Sequence, residues 1–437
     1  MAILNYTLEY NAVSRHAKTE ETLKSHVAII NGYIGLLMLA SFGGVLALVI
    51  AETYVVVQTR REPLKERGKA LGTLLMTQFL GKLVGQIVSD KIIFHITKLG
   101  LTPIVSFRQT ALFCMFCSLV PLFALVFFFH EDPDPPAIND EGANCRPTES
   151  HEFISVESVA TSCFQGLQLN WFRLRRALAK ESTVDVIRFF MGFVFLSEFK
   201  LTYPHDQLEL WCNFTEKAQS LSNIILGVLY ILAVAVWKYY ALSCNWRYGI
   251  WFSLLIIVML PQVIFFYMAI LSTSMRSQQA FMFMTALRGF LRGGLVILEA
   301  VLSAEIAPVG GEGAFLGIII SMGSIMRLLS TTFSNALAFM FEDPTIVATD
   351  QIRDQVAFGL GVCYFVKLIS VVAVFSLPRQ KQELQKLHRH GDTGDKSTTW
   401  WVLGSLGCAF FISAVFNLLA IIPSTTCFEL FGGGGCS

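Results

Sequence analysis

Long apolar segments separated by polar connections run through most of the chain. Each segment has about the length, roughly 20 residues, that an α-helix needs to cross the hydrocarbon core of a bilayer. The segments are residues 33–57, 70–94, 104–129, 184–203, 218–241, 248–271, 279–303, 313–341, 354–377 and 399–422. Because backbone polar groups find no partners in lipid, these segments are predicted to be helices. The pattern predicts an all-α, polytopic membrane bundle with about ten transmembrane helices.

The polar stretches divide these helices into groups. The chain is predicted to comprise a polar N-terminal segment at 1–32, a partial N-terminal bundle of three helices at 33–129, a cytoplasmic central loop at 130–183, a six-helix C-terminal bundle at 184–377, a basic cytoplasmic linker at 378–398, and an extra transmembrane helix with a Gly- and Cys-containing tail at 399–437. The central loop is rich in Pro, Asp and Glu, and Asn170 to Lys180 near its end is predicted to be an interfacial helix.

The composition agrees with a membrane protein. Of the 437 residues, 54% are hydrophobic and 15% are charged, and the mean hydropathy is +0.57. Soluble globular proteins carry about 25% charged residues. The net charge of +1 supplies no field that would attract nucleic acid, so the predicted partners are the lipid bilayer and a small anionic molecule. No cofactor or metal is predicted, because Cys114 and Cys117 lie in an apolar segment where no zinc ribbon can assemble.

The distribution of Lys and Arg predicts the orientation. One alternate set of connections, 58–69, 238–247, 304–312 and 378–398, carries twelve of these residues, whereas the other set, 95–103, 200–217, 272–278 and 342–353, carries five. The first set is therefore predicted to be cytoplasmic. This orientation places the N-terminus outside without a signal peptide. It also places the Asn213 sequon outside, together with Cys427 and Cys436, where a glycan and a disulfide are permitted.

Charged residues are frequent inside the predicted helices. Each costs about 2.5 kcal/mol or more on insertion scales, so these side chains are expected to face a polar cavity or each other. The residues are Glu52, Lys82, Asp90, Arg188, Glu198, Arg288, Arg292, Glu299, Arg327 and Lys367. Among them, Glu52, Asp90 and Glu299 are predicted to bind a coupling proton or to form ion pairs. Lys367 is predicted to extend toward a membrane interface.

The seventh segment carries three of these charges on one face. Glu299 lies eleven residues after Arg288, and eleven steps of about 100° return nearly to the starting direction. Glycines among the charges permit close approach of a neighbouring helix or a break in the helix. Two interpretations remain open. Arg288, Arg292 and Arg327 form a cationic site for an anionic solute, or Arg292 pairs with Glu299 or with another helix as a static brace.

A glycine-rich turn joins the seventh and eighth segments. Pro308 is predicted to end one helix, and Gly310, Gly311 and Gly313 are predicted to supply the positive φ values of a tight reversal. Glu312 lies just before the next helix, where its charge is favourable against the helix dipole. A simple turn accounts for these residues as well as a functional motif does.

Two motifs resemble the folate–biopterin transporter family of the major facilitator superfamily. The turn Pro308-Val309-Gly310-Gly311-Glu312-Gly313 is similar to the family's P-x-G-x-E-G turn. The second motif has an acidic residue, a hydrophobic run, a basic residue, Glu-Pro and Arg-Gly, which correspond here to Glu52, Arg60, Glu62, Pro63, Arg67 and Gly68. The resemblance covers nearly all of 33–377. It implies two helical bundles that rock around a substrate site near the midplane.

The chain also departs from the family pattern. Glu52 stands where the family usually has Asp, and Ser324 stands where it tends to have Asn. If the motif beginning at Glu52 belongs to the fourth helix of a twelve-helix member, three helices are missing, which agrees with an outside N-terminus. We therefore expect a truncated gene model or a fragment, with the 399–422 helix additional to the family's twelve.

The resemblance implies a secondary transporter of a folate- or pteridine-like organic anion in the plasma membrane or an organelle membrane. Proton coupling is an open element of this hypothesis. The alternative is a transport-inactive receptor or scaffold derived from such a transporter. An enzyme is not expected, because HExxH, GxSxG and Walker A motifs do not occur in the sequence.

Overall fold

A computed structural model describes residues 43–44, 47–59, 62–63, 66–88, 94–97, 100–103, 172, 174–308, 311–337, 349–390 and 396–421. The predicted third helix at 104–129, most of the central loop and Asp90 lie outside the described residues. Arg60, Gly310 and the Cys427–Cys436 tail do so as well.

The described elements are almost all helical. In chain order the helices are α1 (Ala47–Thr59), α2 (Lys69–Val88), α3 (Glu181–Ser197), α4 (Thr202–Trp211), α5 (Glu216–Tyr239), α6 (Trp246–Leu271), α7 (Gln278–Ala286), α8 (Arg288–Ile306), α9 (Glu312–Ala336), α10 (Asp350–Ala373), α11 (Lys381–His390) and α12 (Lys396–Ile421). A short antiparallel hairpin, β1 (Phe94–Thr97) and β2 (Gly100–Pro103), pairs Phe94 with Pro103. The predicted connection at 95–103 therefore contains strand structure that the apolar pattern did not indicate.

Six helical segments in the described part are long and apolar enough to cross a membrane. They are Lys69–Val88, Glu216–Tyr239, Trp246–Leu271, Gln278–Ile306, Glu312–Ala336 and Asp350–Ser376. Each coincides with a predicted segment, so the chain is a multi-pass membrane protein. Two shorter apolar helices, Ala47–Thr59 and Trp400–Phe416, lie within other predicted segments. The count of ten spans remains a prediction.

Two of the spanning helices are irregular near their centres. In α6, residues Phe252–Met259 form π-helical turns immediately before Pro261. Proline has no N–H to donate to the carbonyl four residues earlier, and such sites favour locally widened turns. The predicted seventh segment is broken at Leu287, so α7 ends and α8 begins at Arg288. The break places Arg288 in the first turn of a new helix.

The glycines of α8 allow α5 to pack closely against it. A Cβ atom added to Gly289 would lie 2.4 Å from the Leu226 carbonyl oxygen, and one added to Gly293 would lie 2.5 Å from that of Tyr230. Both distances are shorter than van der Waals contact. The predicted close helix approach is therefore present, and it occurs together with the break at Leu287.

The two N-terminal helices pack on the C-terminal bundle. Helix α2 runs against α5, where Lys238 Nζ donates to Thr73 Oγ1 at 2.7 Å. Helix α1 meets the start of α9, because a Cβ atom on Gly313 would lie 2.7 Å from Thr53 Oγ1. We call α1 and α2 the N-terminal half and α3 to α10 the C-terminal half.

The additional helix α12 packs on α9 and α3 of the C-terminal half. Within this contact the buried hydroxyls of Thr332 and Ser413 lie 3.3 Å apart. Before α3, residues 174–178 are helical within the predicted interfacial helix, and Arg175 lies 5.7 Å from the centre of the Trp400 ring. Helix α12 is therefore joined to the bundle through both polar and aromatic contacts.

Candidate functional site

A cavity of about 140 Å³ lies where the two halves meet, and we call it the inter-half cavity. Helices α1, α2, α8 and α9 form its walls. Its charged lining residues are Glu52 of α1, Lys82 of α2, Glu299 of α8 and Arg327 of α9. Four of the predicted intramembrane charges therefore share one cavity.

An ion pair crosses the C-terminal wall of the inter-half cavity. Arg327 Nη2 lies 3.3 Å from Glu299 Oε1, and the Glu299 side chain is almost fully buried. Gly323 provides the space, because a Cβ atom there would lie 2.8 Å from Glu299 Oε1. Ser324, which stands where the resembling family tends to have Asn, also lines this cavity. Ser324, one of the positions at which the chain departs from the family pattern, is thus part of the cavity wall.

Glu52 is the acidic residue that the N-terminal half contributes. The residue is only 7% exposed, and its Oε2 has no hydrogen-bond partner among the described atoms. Lys82 lines the same cavity, with its ammonium group 4.5 Å from the centre of the Phe79 ring. A buried carboxylate oxygen without a partner is costly, so Glu52 is a group that a proton or a ligand would stabilise.

A second cavity, of about 90 Å³, lies within the C-terminal half, and we call it the C-terminal cavity. Residues from α4, α6, α7, α8, α10 and the end of α3 line it. Its charged lining residues are Glu198, Lys200, Arg288, Arg292 and Lys367. The structure therefore separates Arg288 and Arg292 from Arg327, although the sequence pattern predicts one site for all three.

Arg292 is held by Glu198 across the C-terminal cavity. Its Nε lies 2.7 Å from Glu198 Oε1 and its Nη2 lies 2.5 Å from Glu198 Oε2, a two-pronged arrangement that fixes both side chains. Of the two pairings considered for Arg292, the one with another helix forms. The pairing with Glu299 does not, because seven residues place the two groups about two turns apart along α8.

Three cations of the C-terminal cavity form no ion pair. The charged groups of Lys200, Arg288 and Lys367 make no hydrogen bond or salt bridge in the described structure. Lys367 lies with its ammonium 5.4 Å from the centre of the Tyr364 ring and lines the cavity. This position differs from the predicted extension of Lys367 toward a membrane interface.

Arg188, another predicted intramembrane charge, lines neither cavity. Its side chain is 67% exposed on α3 and lies 3.3 Å from Asp185 one turn earlier. The expectation of a cavity position is wrong for this residue, because its face of α3 points away from the bundle. Glu198, on the same predicted segment, lines the C-terminal cavity.

Residues of the second motif cap and anchor the start of α2. The Glu62 carboxylate accepts hydrogen bonds from the backbone N–H groups of Gly68 at 2.7 Å and Ala70 at 3.0 Å. Gly68 has φ +100°, a conformation that side chains with a Cβ rarely adopt. Pro63 is exposed in the intervening turn. The two hydrogen bonds therefore explain the presence of Glu at position 62, and the positive φ explains the presence of Gly at position 68.

Four residues connect this turn to α8 and α11, and we call them the interloop network. Its members are Arg67, Glu305, Lys381 and Gln385. Arg67 Nη1 lies 3.1 Å from Glu305 Oε2, which also accepts from Gln385 Nε2 at 2.9 Å. Lys381 Nζ donates to the Arg67 carbonyl oxygen. The network joins the loop before α2, the end of α8 and the amphipathic helix α11.

The glycine-rich turn differs from its predicted conformation. Gly311 has φ −128°, and Gly313 lies inside α9, so neither glycine supplies a positive φ. Gly313 is required for another reason, namely the close approach of Thr53. Glu312 begins α9 as predicted and is buried there. After Pro308, the Gly311 N–H donates to the Pro308 carbonyl oxygen at 3.1 Å.

Comparison with family models, curated proteins and solved structures gives no match for this chain. The resemblance to folate–biopterin transporters thus rests on the two sequence motifs.

Proposed function

We propose that this chain is a secondary transporter of a small organic anion, of folate or pteridine type, that works by alternating access between its two halves. The observation that carries the proposal is the inter-half cavity, whose charged groups come from both halves. Transporters of this kind bind their substrates near the bilayer midplane between repeated bundles. Rocking of one half against the other would change the side of the membrane from which such a cavity is accessible.

The arginines supply the means to bind an anion. Arg327 lines the inter-half cavity, and its guanidinium group can hold a carboxylate with two parallel hydrogen bonds. Arg292 and Arg327 are paired with Glu198 and Glu299. In this proposal those two arginines reach the substrate only after their acidic partners are released.

The acidic residues supply a route to proton coupling. A proton on Glu299 would remove the charge that holds Arg327 and would leave the guanidinium available to an anion. Glu52 adds a second buried carboxyl group in the same cavity. Proton binding and anion binding would then favour each other, as symport requires. Asp90, the third acidic residue of this hypothesis, lies outside the described residues.

The interloop network supports a conformational cycle. It joins the two halves at the end that the positive-inside rule assigns to the cytoplasm. A cycle that opens the inter-half cavity to that side must break the Arg67–Glu305 pair. We place the protein in the plasma membrane or in an organelle membrane.

Uptake of radiolabelled folate and biopterin into proteoliposomes containing the full chain tests the proposal. We expect accumulation that increases when the outside is more acidic than the lumen. Arg327→Gln should abolish uptake at unchanged reconstitution, whereas Arg188→Gln, on the exposed face of α3, should leave it unchanged.

Absence of uptake of both compounds by well-folded protein would refute the transporter. Retained folate or pteridine binding without uptake would support the alternative, a transport-inactive receptor or scaffold.

A further inference from the structure

The two cavities differ in charge balance. The inter-half cavity contains two acidic and two basic side chains, so its formal charges cancel. The C-terminal cavity is lined by four cations and one carboxylate, Glu198. Uncompensated charge in a low-dielectric interior is costly, and proteins normally place a counter-charge beside it.

Two of the four cations are compensated by carboxylates. Arg292 is held in the two-pronged pair with Glu198. Lys200 interacts electrostatically with Asp206 and Glu209 of α4, which do not line the cavity. Arg288 of α8 and Lys367 of α10 remain, and both interact electrostatically with Glu198, which already holds Arg292. Their charged groups have no carboxylate within salt-bridge distance in the described structure.

The remaining walls of the cavity suit a buried anion. Apolar side chains from α6, α8 and α10 line it, among them Val258, Leu291 and Leu360. Such walls lower the local dielectric constant and strengthen each charge–charge interaction. Gln262 is already occupied, since its Nε2 donates to the Met284 carbonyl oxygen at 2.7 Å. The unused polar groups are therefore predominantly cationic.

We propose that the C-terminal cavity is an anion site separate from the inter-half cavity and that it takes a compact dianion, with Arg288 and Lys367 as its direct ligands. Two cations without a salt-bridge partner favour a ligand with two negative charges. The small volume of about 90 Å³ favours a compact anion such as a phosphate or a short dicarboxylate. The site rests on the proposed function only for its role in transport, because binding is measurable without transport.

Equilibrium binding to the purified full-length protein in detergent provides the test. The probes are succinate and inorganic phosphate, with butyrate as a monovalent carboxylate of similar size. We expect at least one dianion to bind about tenfold or more tightly than butyrate, because the second charge meets a second cation. Comparison of succinate with phosphate identifies which dianion chemistry the site prefers. This measurement needs only the unaltered chain.

Matched substitutions then locate the dianion. Arg288→Gln and Lys367→Gln should each weaken binding of the preferred dianion by about tenfold to a hundredfold, leaving an affinity close to that of butyrate. Arg188→Gln and Lys217→Gln remove the same types of charge from exposed positions outside both cavities and should change the affinity less than twofold.

Equal affinities for butyrate and both dianions would overturn the proposal. So would an Arg327→Gln variant that weakens the dianion as strongly as Arg288→Gln, because the anion would then lie in the inter-half cavity. Dianion binding that depends on Arg288 and Lys367 in a protein without uptake would uphold this site while the transporter proposal fails.

Discussion

Glu198 and Arg292 illustrate how a charged pair is positioned in this bundle. The carboxylate lies at the end of α3 and the guanidinium in the second turn of α8. Two hydrogen bonds in parallel fix the angle as well as the distance between the groups. Each partner therefore depends on the other for compensation of its charge.

Removal of either partner should destabilise the protein. Arg292→Gln leaves the charge of the Glu198 carboxylate uncompensated. Glu198→Gln leaves the charge of the Arg292 guanidinium uncompensated. Because Arg292 is 34% exposed, we expect about 1–3 kcal/mol for each, less than for a fully buried pair. Thermal unfolding in detergent should show that the double variant loses less than the sum of the single variants. Additive losses would mean that the two groups do not interact.

Two cysteines should differ sharply in reactivity. Burial raises the pKa of the Cys212 thiol to about 11, although Arg276 opposes the shift. At pH 8 only about one molecule in a thousand would carry the Cys212 thiolate, the form that alkylates. Cys244 is exposed in the turn after α5.

Mass spectrometry after brief maleimide treatment should find Cys244 modified and Cys212 intact. Detergent or chaotrope that unfolds the chain should expose both. Comparable labelling of the two cysteines in folded protein would contradict the buried position of Cys212.

Helix α8 shows how an element acquires its neighbours. Its glycine face lets the backbone of α5 approach, and the same approach fixes which direction the intervening charged residues point. Gly293 is central to this contact, since an added Cβ would lie 2.5 Å from the Tyr230 carbonyl oxygen and 2.9 Å from the Ala233 Cβ. A backbone atom cannot move aside as a flexible side chain does.

Gly293→Ala should therefore separate α5 from α8. We expect a loss of about 1–3 kcal/mol in unfolding free energy. Gly317→Ala is the matched control in α9, where an added Cβ meets nothing within 4 Å. That substitution should be neutral or stabilising by up to about 1 kcal/mol, because alanine favours helix more than glycine does. Equal effects of the two substitutions in thermal unfolding would contradict the close packing.

The lengths of the apolar segments predicted the positions of the helices, but they did not predict where those helices are irregular. The pattern predicted a helical segment at 70–94, whereas Phe94 at its end lies in strand β1. Phe94 is apolar, so hydropathy alone included it in the segment. The break at Leu287 has no proline to indicate it, and it became visible only from the hydrogen-bonding pattern.

At the scale of the whole molecule, the interloop network connects three distant parts of the chain. Arg67 and Glu305 are 238 residues apart in sequence, and the Glu305 side chain is 2% exposed. In the part of the chain that the structure describes, the network forms a polar connection between the loop before α2 and helix α11.

Glu305→Gln should loosen this connection. The Gln385 hydrogen bond can persist, but the charge that attracts Arg67 is lost. We expect backbone amides around Arg67 to exchange hydrogen about tenfold faster or more, since a charge-assisted hydrogen bond is removed. Glu66→Gln, which alters an exposed pair with Lys69, should have little effect. Unchanged exchange in Glu305→Gln would show that the network does not restrain the loop.

The sequence by itself determined that the chain crosses a membrane several times, because the length and hydropathy of a helix are local properties. It also indicated that charged residues lie inside those helices, and it predicted one face for Arg288, Arg292 and Glu299, although Glu299 lines a different cavity from the two arginines. Their partners depend on neighbouring helices that come from remote parts of the chain. Only the tertiary structure therefore paired Arg292 with Glu198 and placed Arg327 in a different cavity from Arg288.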